Sequence, residues 1–142
     1  MIEKFVLAWE KNKAELETYF RTHRQAEYCS YKELVKLVFD IVINPAIEAS
    51  YERYVTDDIH VIDDGDYQGT QIFLLHFDTY QPGIGDYVFT DVYYGSCSGC
   101  DTLLSISGYD DELPNEEQIK DYMTLCLHLL QHCSYMSGGD NE

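Results

Sequence analysis

The spacing of apolar residues changes near Val55, and this change limits the folds that the chain can adopt. Before Val55, apolar side chains recur every three or four positions, which is the spacing of amphipathic helices. After it they form short runs and alternations typical of strands, namely "IHVI" at 59–62, "QIFLLHF" at 71–77 and "DYVFTDVYY" at 86–94. Helical spacing returns near the end of the chain. This order predicts an α+β fold, with a small antiparallel sheet and helices at the N- and C-terminal ends.

Two helices are predicted before the sheet. The first runs from Ile2 to about Thr22, and its apolar face consists of Phe5, Val6, Trp9, Leu16, Tyr19 and Phe20. The second begins at Ser30-Tyr31-Lys32-Glu33, which fits a capping box in which each of the two end side chains bonds the backbone N–H of the other. Asn44-Pro45 interrupts or ends this helix, because proline has no N–H to donate.

The sheet is expected to start with a hairpin, since the connection at 63–69 carries two glycines. The final helix is predicted to begin at Asn115, which precedes two glutamates and has a glutamine at the third helical position, and to run to about Tyr135. We interpret residues 1–142 as a single domain, with a helical part at 1–53 and a strand-rich part with the C-terminal helix at 54–142.

Acidic residues are concentrated in the second part of the chain. The net charge is −17; residues 1–53 hold nine acidic and eight basic residues, whereas residues 54–142 hold seventeen acidic residues and one basic residue, Lys120. The field of such a surface repels nucleic acid and attracts cationic partners. Surfaces that need only solubility usually mix both signs. The near-absence of lysine after residue 53 therefore favours binding to a basic protein.

The sequence contains neither a membrane-spanning run nor a secretory signal. No apolar stretch approaches the ~18 residues that cross a bilayer, and the amphipathic N-terminus has no cleavage site. These features predict a cytoplasmic protein. Its five cysteines would then stay reduced and be available as thiols or metal ligands.

A turn of small residues, "GSCSGCD" at 95–101, presents Cys97 and Cys100 at the spacing of a zinc knuckle. Such a turn can direct both sulfurs to one ion at Zn–S distances of about 2.3 Å. The last helix adds His128 and His132, which their i,i+4 spacing puts on one face. We predict that these four residues hold a structural zinc ion, because a site with four protein ligands has no open position for catalysis.

Other ligand sets remain open at this point. Cys126 and Cys133 fall on the apolar arc of the last helix and are predicted to be core cysteines, and they stand with His76 and Cys29 as reserve ligands. Without a metal, the two cysteines of the turn form an unmetallated turn or a redox pair, although the βαβ pattern typical of thioredoxin-like proteins is not visible.

The stretch from Tyr67 to Leu103, with its segments "YQGT", "DTYQP" and "YGSCSGCDTL", and the final-helix sequence "MTLCLHLLQH" resemble a family of small proteins of bacteriophage and prophage genomes. The resemblance implies a phage accessory gene that is expressed in the bacterial host cytoplasm. Small acidic phage proteins include DNA-mimicking inhibitors of host defence, and zinc-containing anti-CRISPR proteins that act on Cas9 are among them.

The resemblance and the charge together predict an inhibitor of a host nucleic-acid-binding protein, and a Cas9–guide RNA complex is the expected partner. Such nucleases hold nucleic acid in positively charged channels, which an acidic protein surface could occupy in place of DNA. Tyrosines between the acids are expected to stack on arginines of the partner. The candidate partner-binding carboxylates are Asp63, Asp64, Asp66, Asp110, Asp111, Glu112, Glu116 and Glu117.

Two alternative functions remain open. One is a phage structural or interaction protein with another partner. The other is a metal-dependent hydrolase, in which His76 and Asp78 would act beside Cys97 and Asp101. No His-Glu-x-x-His motif, nucleophile elbow or phosphate-binding loop is present in the sequence, so we assign no catalytic residue.

Overall fold

The structure, a computed structural model, describes residues 2–23, 30–63, 65, 69–94, 103, 106 and 113–135. The helices and strands with described bounds are, in chain order, α1 (Ile2–Thr22), α2 (Tyr31–Val38), β1 (His60–Asp63), β2 (Gly69–His76), β3 (Tyr87–Tyr94), α3 (Glu116–Gln131) and β4 (Ser134–Tyr135). A π-helical turn covers Phe39–Ile43, and 3₁₀ turns cover Asn44–Ala46, Ser50–Glu52 and Ile84–Asp86.

Helix α1 buries one face, because its apolar residues recur at helical spacing. Leu16 and Phe20 are fully buried, and Trp9 is nearly so. The ring of Phe20 stacks on that of Tyr122 in α3, with the centroids 5.0 Å apart and the planes at 10°. Val6, which was expected on the same face, is 50% exposed because it lies beside the buried stripe rather than within it.

Helix α2 begins as predicted and ends differently. The Ser30 hydroxyl accepts a hydrogen bond from the Glu33 N–H (3.3 Å), one of the two bonds of the expected capping box. After Val38 the chain widens into the π-helical turn before Pro45 is reached. Asn44 then holds this end of the helical part against Tyr54, because its side-chain amide donates to the Tyr54 carbonyl and accepts from the Tyr54 N–H, both at 2.9 Å.

The four strands form one antiparallel sheet in the order β1-β2-β3-β4. Phe73 in β2 lies opposite Val61 of β1 and opposite Thr90 of β3. Side chains alternate between the two faces of a strand, and one face of β2 and β3 packs on the core. The buried side chains of that face are Phe73, Leu75, Val88 and Thr90.

Helix α3 begins with the predicted cap. The Asn115 side chain accepts from the Gln118 N–H (2.8 Å), and the Gln118 side chain accepts from the Asn115 N–H (2.9 Å). The expected end near Tyr135 is wrong, because the helix stops at Gln131. The Cys133 N–H donates to the Leu130 carbonyl, and the chain then pairs with β3 as the short strand β4.

These elements confirm the α+β fold. Strand β4, which follows α3, is an element that the sequence did not predict. Buried residues of both helical ends and of the sheet join in one hydrophobic cluster, so the near-neutral and the acidic parts of the chain share a core. None of the described helices is long and apolar enough to span a bilayer.

Replacing Leu16 by alanine is expected to lower the free energy of unfolding by about 2–5 kcal/mol, because the truncation leaves a cavity in the core. Leu7→Ala removes the same atoms from the same helix, but this side chain is 65% exposed, so a change within about 0.5 kcal/mol is expected. Urea unfolding followed by far-UV circular dichroism measures both. Equal losses for the two variants would contradict the buried face assigned to α1.

Candidate functional site

The two predicted histidine ligands lie at the C-terminal end of α3. His128 is within the helix, and His132 follows it and donates its N–H to the His128 carbonyl (3.1 Å). Both residues are exposed to solvent. The backbone therefore keeps the i,i+4 relation that lets two side chains of one helix reach a single ion.

Asp91 of β3 orients the ring of His132. The Nδ1 atom of His132 lies 3.3 Å from the Asp91 carbonyl oxygen and 3.6 Å from its carboxylate Oδ1. A metal-binding histidine usually donates one ring N–H to a carbonyl or carboxylate, which leaves the other nitrogen for the metal. Among the described residues the Nε2 atom of His132 has no hydrogen-bond partner. The amino-acid sequence alone does not pair Asp91 with a histidine, because this contact depends on how β3 lies against the end of α3.

The two predicted cysteine ligands, Cys97 and Cys100, lie outside the described residues. Strand β3 ends at Tyr94, so the strand that orients His132 also leads into the cysteine turn. The chain from Asp91 to Cys97 can span up to roughly 20 Å, a length that allows the turn to reach the histidines. Within the described ranges no group of three or more histidine, cysteine or acidic side chains is arranged to hold a metal ion.

Cys126 and Cys133 are core residues, as predicted. Both are buried free thiols. Burial raises the pKa of both, that of Cys133 to about 12. A thiol that stays protonated in the core is a poor ligand, since the thiolate is the form that binds metal. Cys29, another reserve ligand, lies outside the described residues.

The surroundings of His76 do not favour a hydrolytic site. Its Nδ1–H donates to the Phe77 carbonyl (2.8 Å), and its Nε2 atom faces the Asp58 carboxylate at 3.5 Å. Neither ring nitrogen is thus placed to take a proton from a substrate. The carboxylate beside the ring belongs to Asp58 rather than to Asp78, and the other two residues of the hypothetical hydrolytic site lie outside the described ranges.

A buried hydrogen bond joins β3 to the end of α3 that carries the histidines. The Thr90 hydroxyl donates to the Leu129 carbonyl at 2.6 Å, and the Cys133 thiol lies 3.4 Å from the same oxygen. The last carbonyls of a helix have no partner within the helix, so Thr90 supplies one. The contact fixes the helix end beside Asp91 and with it the position of His132.

Three of the eight predicted partner-binding carboxylates are described, and they lie in two places. Asp63 ends β1, where its carboxylate accepts hydrogen bonds from the Gly65 N–H and from the Gln71 side chain, both at 3.0 Å. Glu116 and Glu117 form the first turn of α3. The carboxylates outside the described residues are those of Asp64, Asp66, Asp110, Asp111 and Glu112.

Glu116 is paired within the chain. Arg21, at the end of α1, donates to both carboxylate oxygens of Glu116 and also to Glu17. The bond from Arg21 lowers the pKa of Glu116, and the bonds to Glu116 and Glu17 raise the pKa of Arg21. This contact ties α1 to α3 and leaves Glu117 as the first-turn acid without an ion pair in the described part of the chain.

Among the described residues, α1 borders a cleft on each of two sides. One, of about 800 Å³, lies against α3 beside Trp9 and Met123. The other, of about 620 Å³, lies between α1 and the chain at 43–54, with Lys4 among its basic residues and Glu52 among its acidic ones. Charged side chains of both signs line each cleft, so neither favours a ligand of one charge.

No family model, curated protein or solved structure matches this chain. The resemblance to phage and prophage proteins therefore stays a prediction. The geometry and charge of the described side chains are what support a function.

Thr90→Val is expected to lower the free energy of unfolding by about 1–3 kcal/mol, because it keeps the shape of the side chain but leaves the buried Leu129 carbonyl without its hydroxyl donor. Thr79→Val makes the same change at an exposed position and should stay within about 0.5 kcal/mol of the parent. Thermal unfolding monitored by calorimetry compares the two. A Thr90 variant as stable as the Thr79 variant would show that this bond does not hold the helix end.

Proposed function

We propose that this chain is a phage-encoded acidic protein that inhibits a host nucleic-acid-binding defence protein in the bacterial cytoplasm. The specific partner is a Cas9-type nuclease, whose positively charged DNA channel the acidic surface occupies. The observation that carries the proposal is the charge imbalance after residue 53, where seventeen acidic residues stand against Lys120 alone. A surface with this field attracts a basic protein and repels nucleic acid.

The described ion pairs support this proposal, because within the described ranges the cations of the first part of the chain neutralise few acids of the second. Lys36 bonds Asp57 (3.0 Å), and Arg21 bonds Glu116. A partner that supplies lysine or arginine would form ion pairs that the described part of the chain does not form for itself. The exposed acids without a cationic partner within the described ranges include Asp78, Glu117 and Asp121.

Exposed tyrosines near acidic residues indicate that arginine in particular would be bound. Tyr80, two residues after Asp78, is 95% exposed, and Tyr93 is 60% exposed. Asp91 and Tyr93 point to the same face of β3, because side chains alternate along a strand. An arginine on that face would have a carboxylate to bond and an aromatic ring to stack on, which a lysine uses less well.

We further propose that Cys97, Cys100, His128 and His132 hold a structural zinc ion. The orientation of His132 by Asp91 supports this, because it leaves Nε2 without a partner among the described residues. The metal would supply no chemistry at a closed site and would fasten the end of β3 to α3. Cys126 and Cys133 are not part of the proposal, since both thiols are buried in the core.

We expect the chain to bind a purified Cas9–guide RNA complex at about 0.1 M salt and to lose this binding at about 1 M. Between these two concentrations the Debye length falls from about 10 Å to about 3 Å, so the attraction between the charges is screened. Asp63→Asn combined with Glu117→Gln should raise Kd about 3- to 10-fold, because two exposed charges are removed from the acidic part. Biolayer interferometry with the immobilised complex measures both effects.

The matched control for this experiment is Glu3→Gln combined with Glu15→Gln. It changes the net charge by the same amount, but within α1 and the near-neutral part of the chain. Its Kd should stay within about 2-fold of the parent. No binding to the complex at about 0.1 M salt would remove the Cas9-type nuclease as partner, and equal losses in both double variants would show that net charge alone matters.

Metal analysis of the purified chain is expected to give one zinc ion per molecule. Cys97→Ser and His132→Ala should each lower the zinc content, whereas Cys126→Ala should leave it unchanged because that thiol lies in the core. Removal of the metal by a chelator should lower Tm by roughly 5–15 °C, since the binding energy of a structural metal contributes to folding. A chain that is purified without metal and does not gain Tm on addition of zinc would contradict the site.

A further inference from the structure

Strand β1 forms an edge of the sheet that the described chain leaves open. In the strand order β1-β2-β3-β4 no described strand lies beyond it. All four of its residues are exposed, including the side chains of Val61 (40%) and Ile62 (52%). An edge strand presents backbone N–H and C=O groups to which another chain can add a strand.

The direction of these backbone groups follows from two hydrogen bonds at the end of β2. The Val55 N–H donates to the His76 carbonyl (2.8 Å) on the β1 side, and the Phe77 N–H donates to the Asp86 carbonyl (3.0 Å) on the β3 side. In an antiparallel strand the N–H and C=O of one residue point to the same side, and the side alternates from residue to residue. The even-numbered residues of β2 therefore bond towards β1.

The register of β1 then identifies its outward-pointing residue. His60 lies opposite Leu74 and Ile62 lies opposite Ile72, and both partners are even-numbered, so these two residues of β1 bond to β2. Val61, between them, points its N–H and C=O away from β2. An added strand can thus form two hydrogen bonds with Val61 without disturbing the sheet.

The surroundings of this edge determine what kind of strand it can accept. Edge strands of soluble proteins are usually protected by lysine, proline or a bulge, but the sequence of β1, "HVID", contains neither lysine nor proline. Asp58, whose side chain is 65% exposed, precedes the strand, and Asp63 ends it. The sequence has no lysine or arginine between residues 54 and 119. The edge is therefore apolar at its centre and negatively charged at both ends.

We propose that β1 binds an extended, lysine- or arginine-rich segment of the partner as an additional strand. This inference rests on the proposed function, since it names the part of the acidic surface that the basic partner contacts. The Val61 N–H donates to a carbonyl of the segment, and the Val61 carbonyl accepts from one of its N–H groups. Apolar side chains of the segment pack beside Ile62, and its basic side chains reach Asp58 and Asp63.

A second copy of the chain is a poorer occupant of this edge. Pairing of two β1 strands would bring the acidic residues at the strand ends of both copies together, and each copy carries a net charge of −17. Like charges at close range disfavour such pairing. A basic segment has the opposite charge, so charge complementarity selects it.

The experiment uses the full chain and the peptide acetyl-Lys-Val-Lys-Val-Lys-Val-Lys-amide as a probe. The matched control is the same peptide with its three central residues N-methylated, which keeps the charge and the side chains but removes backbone donors on both edges. Isothermal titration calorimetry at about 0.1 M salt is expected to show at least about 10-fold weaker binding of the methylated peptide, because strand addition depends on backbone hydrogen bonds.

Proline variants of β1 test the geometry independently. Val61→Pro removes the outward N–H only, so Tm should stay within about 4 °C of the parent while the probe peptide binds at least about 10-fold more weakly. Val61→Thr keeps the N–H and should bind the peptide like the parent. Ile62→Pro removes a donor to β2 and should lower Tm markedly.

Each outcome separates this inference from the proposed function. Equal binding of the two peptides, or unchanged peptide binding by Val61→Pro, overturns strand addition while leaving the basic partner in place. Binding of the Cas9–guide RNA complex without any binding of the probe peptide also overturns strand addition and leaves the basic partner in place. A dimer of the chain that Val61→Pro dissociates would show that a second copy occupies the edge, and this too overturns the inference.

Discussion

The hydrogen bond from the Thr90 hydroxyl to the Leu129 carbonyl is the contact on which the arrangement of the acidic part depends. Thr90 is in β3, which pairs with β2 on one side and with β4 on the other, and Leu129 is in the last turn of α3. Hydrophobic contacts stabilise the packing of α3 on the sheet. They do not by themselves select one position of the helix along the sheet, because apolar contacts are not directional. A short hydrogen bond to a helix-end carbonyl is directional. It places the end of α3 where His132 lies beside Asp91 and where the chain pairs with β3 as β4, so the position of His132 and the last strand depend on the same contact.

The distribution of charge has a structural consequence as well as a functional one. The helical part holds eight of the nine basic residues. In the part of the chain that the structure describes, two of them bond acids of the second part, Lys36 to Asp57 and Arg21 to Glu116. These exposed pairs add little stability by themselves. They do reduce the repulsion among acids where the two parts meet. Among the described acids, Asp78, Glu117 and Asp121 are exposed and have no cationic partner within the described ranges.

The elements that the sequence predicted well are those that local interactions determine. The bounds of α1, the caps at Ser30 and Asn115, and the positions of β1, β2 and β3 follow from apolar spacing and from side chains a few residues apart. The π-helical turn, the early end of α3 and strand β4 were not predicted from the sequence. Each is contacted by a residue distant in the chain: Asn12 donates to the Val42 carbonyl, Thr90 donates to the Leu129 carbonyl, and β4 pairs with β3. The candidate site divides in the same way. The spacing of His128 and His132 is local, but the contact of His132 with Asp91 requires the packing of β3 against α3.

The acidic composition also bears on β1, the sheet edge beside which the described residues place no further strand. Proteins usually block an edge with lysine, proline or a bulge on the strand itself, which hinders every approaching strand. Here the protection is electrostatic, because the chain is negatively charged and repels both a second copy of itself and nucleic acid. Protection of this kind depends on the sign of the approaching charge, so it excludes acidic chains and admits basic ones. A lysine in β1 would hinder self-association equally well and would also repel the proposed partner. The absence of lysine from β1 therefore fits the proposal that this edge binds a basic segment.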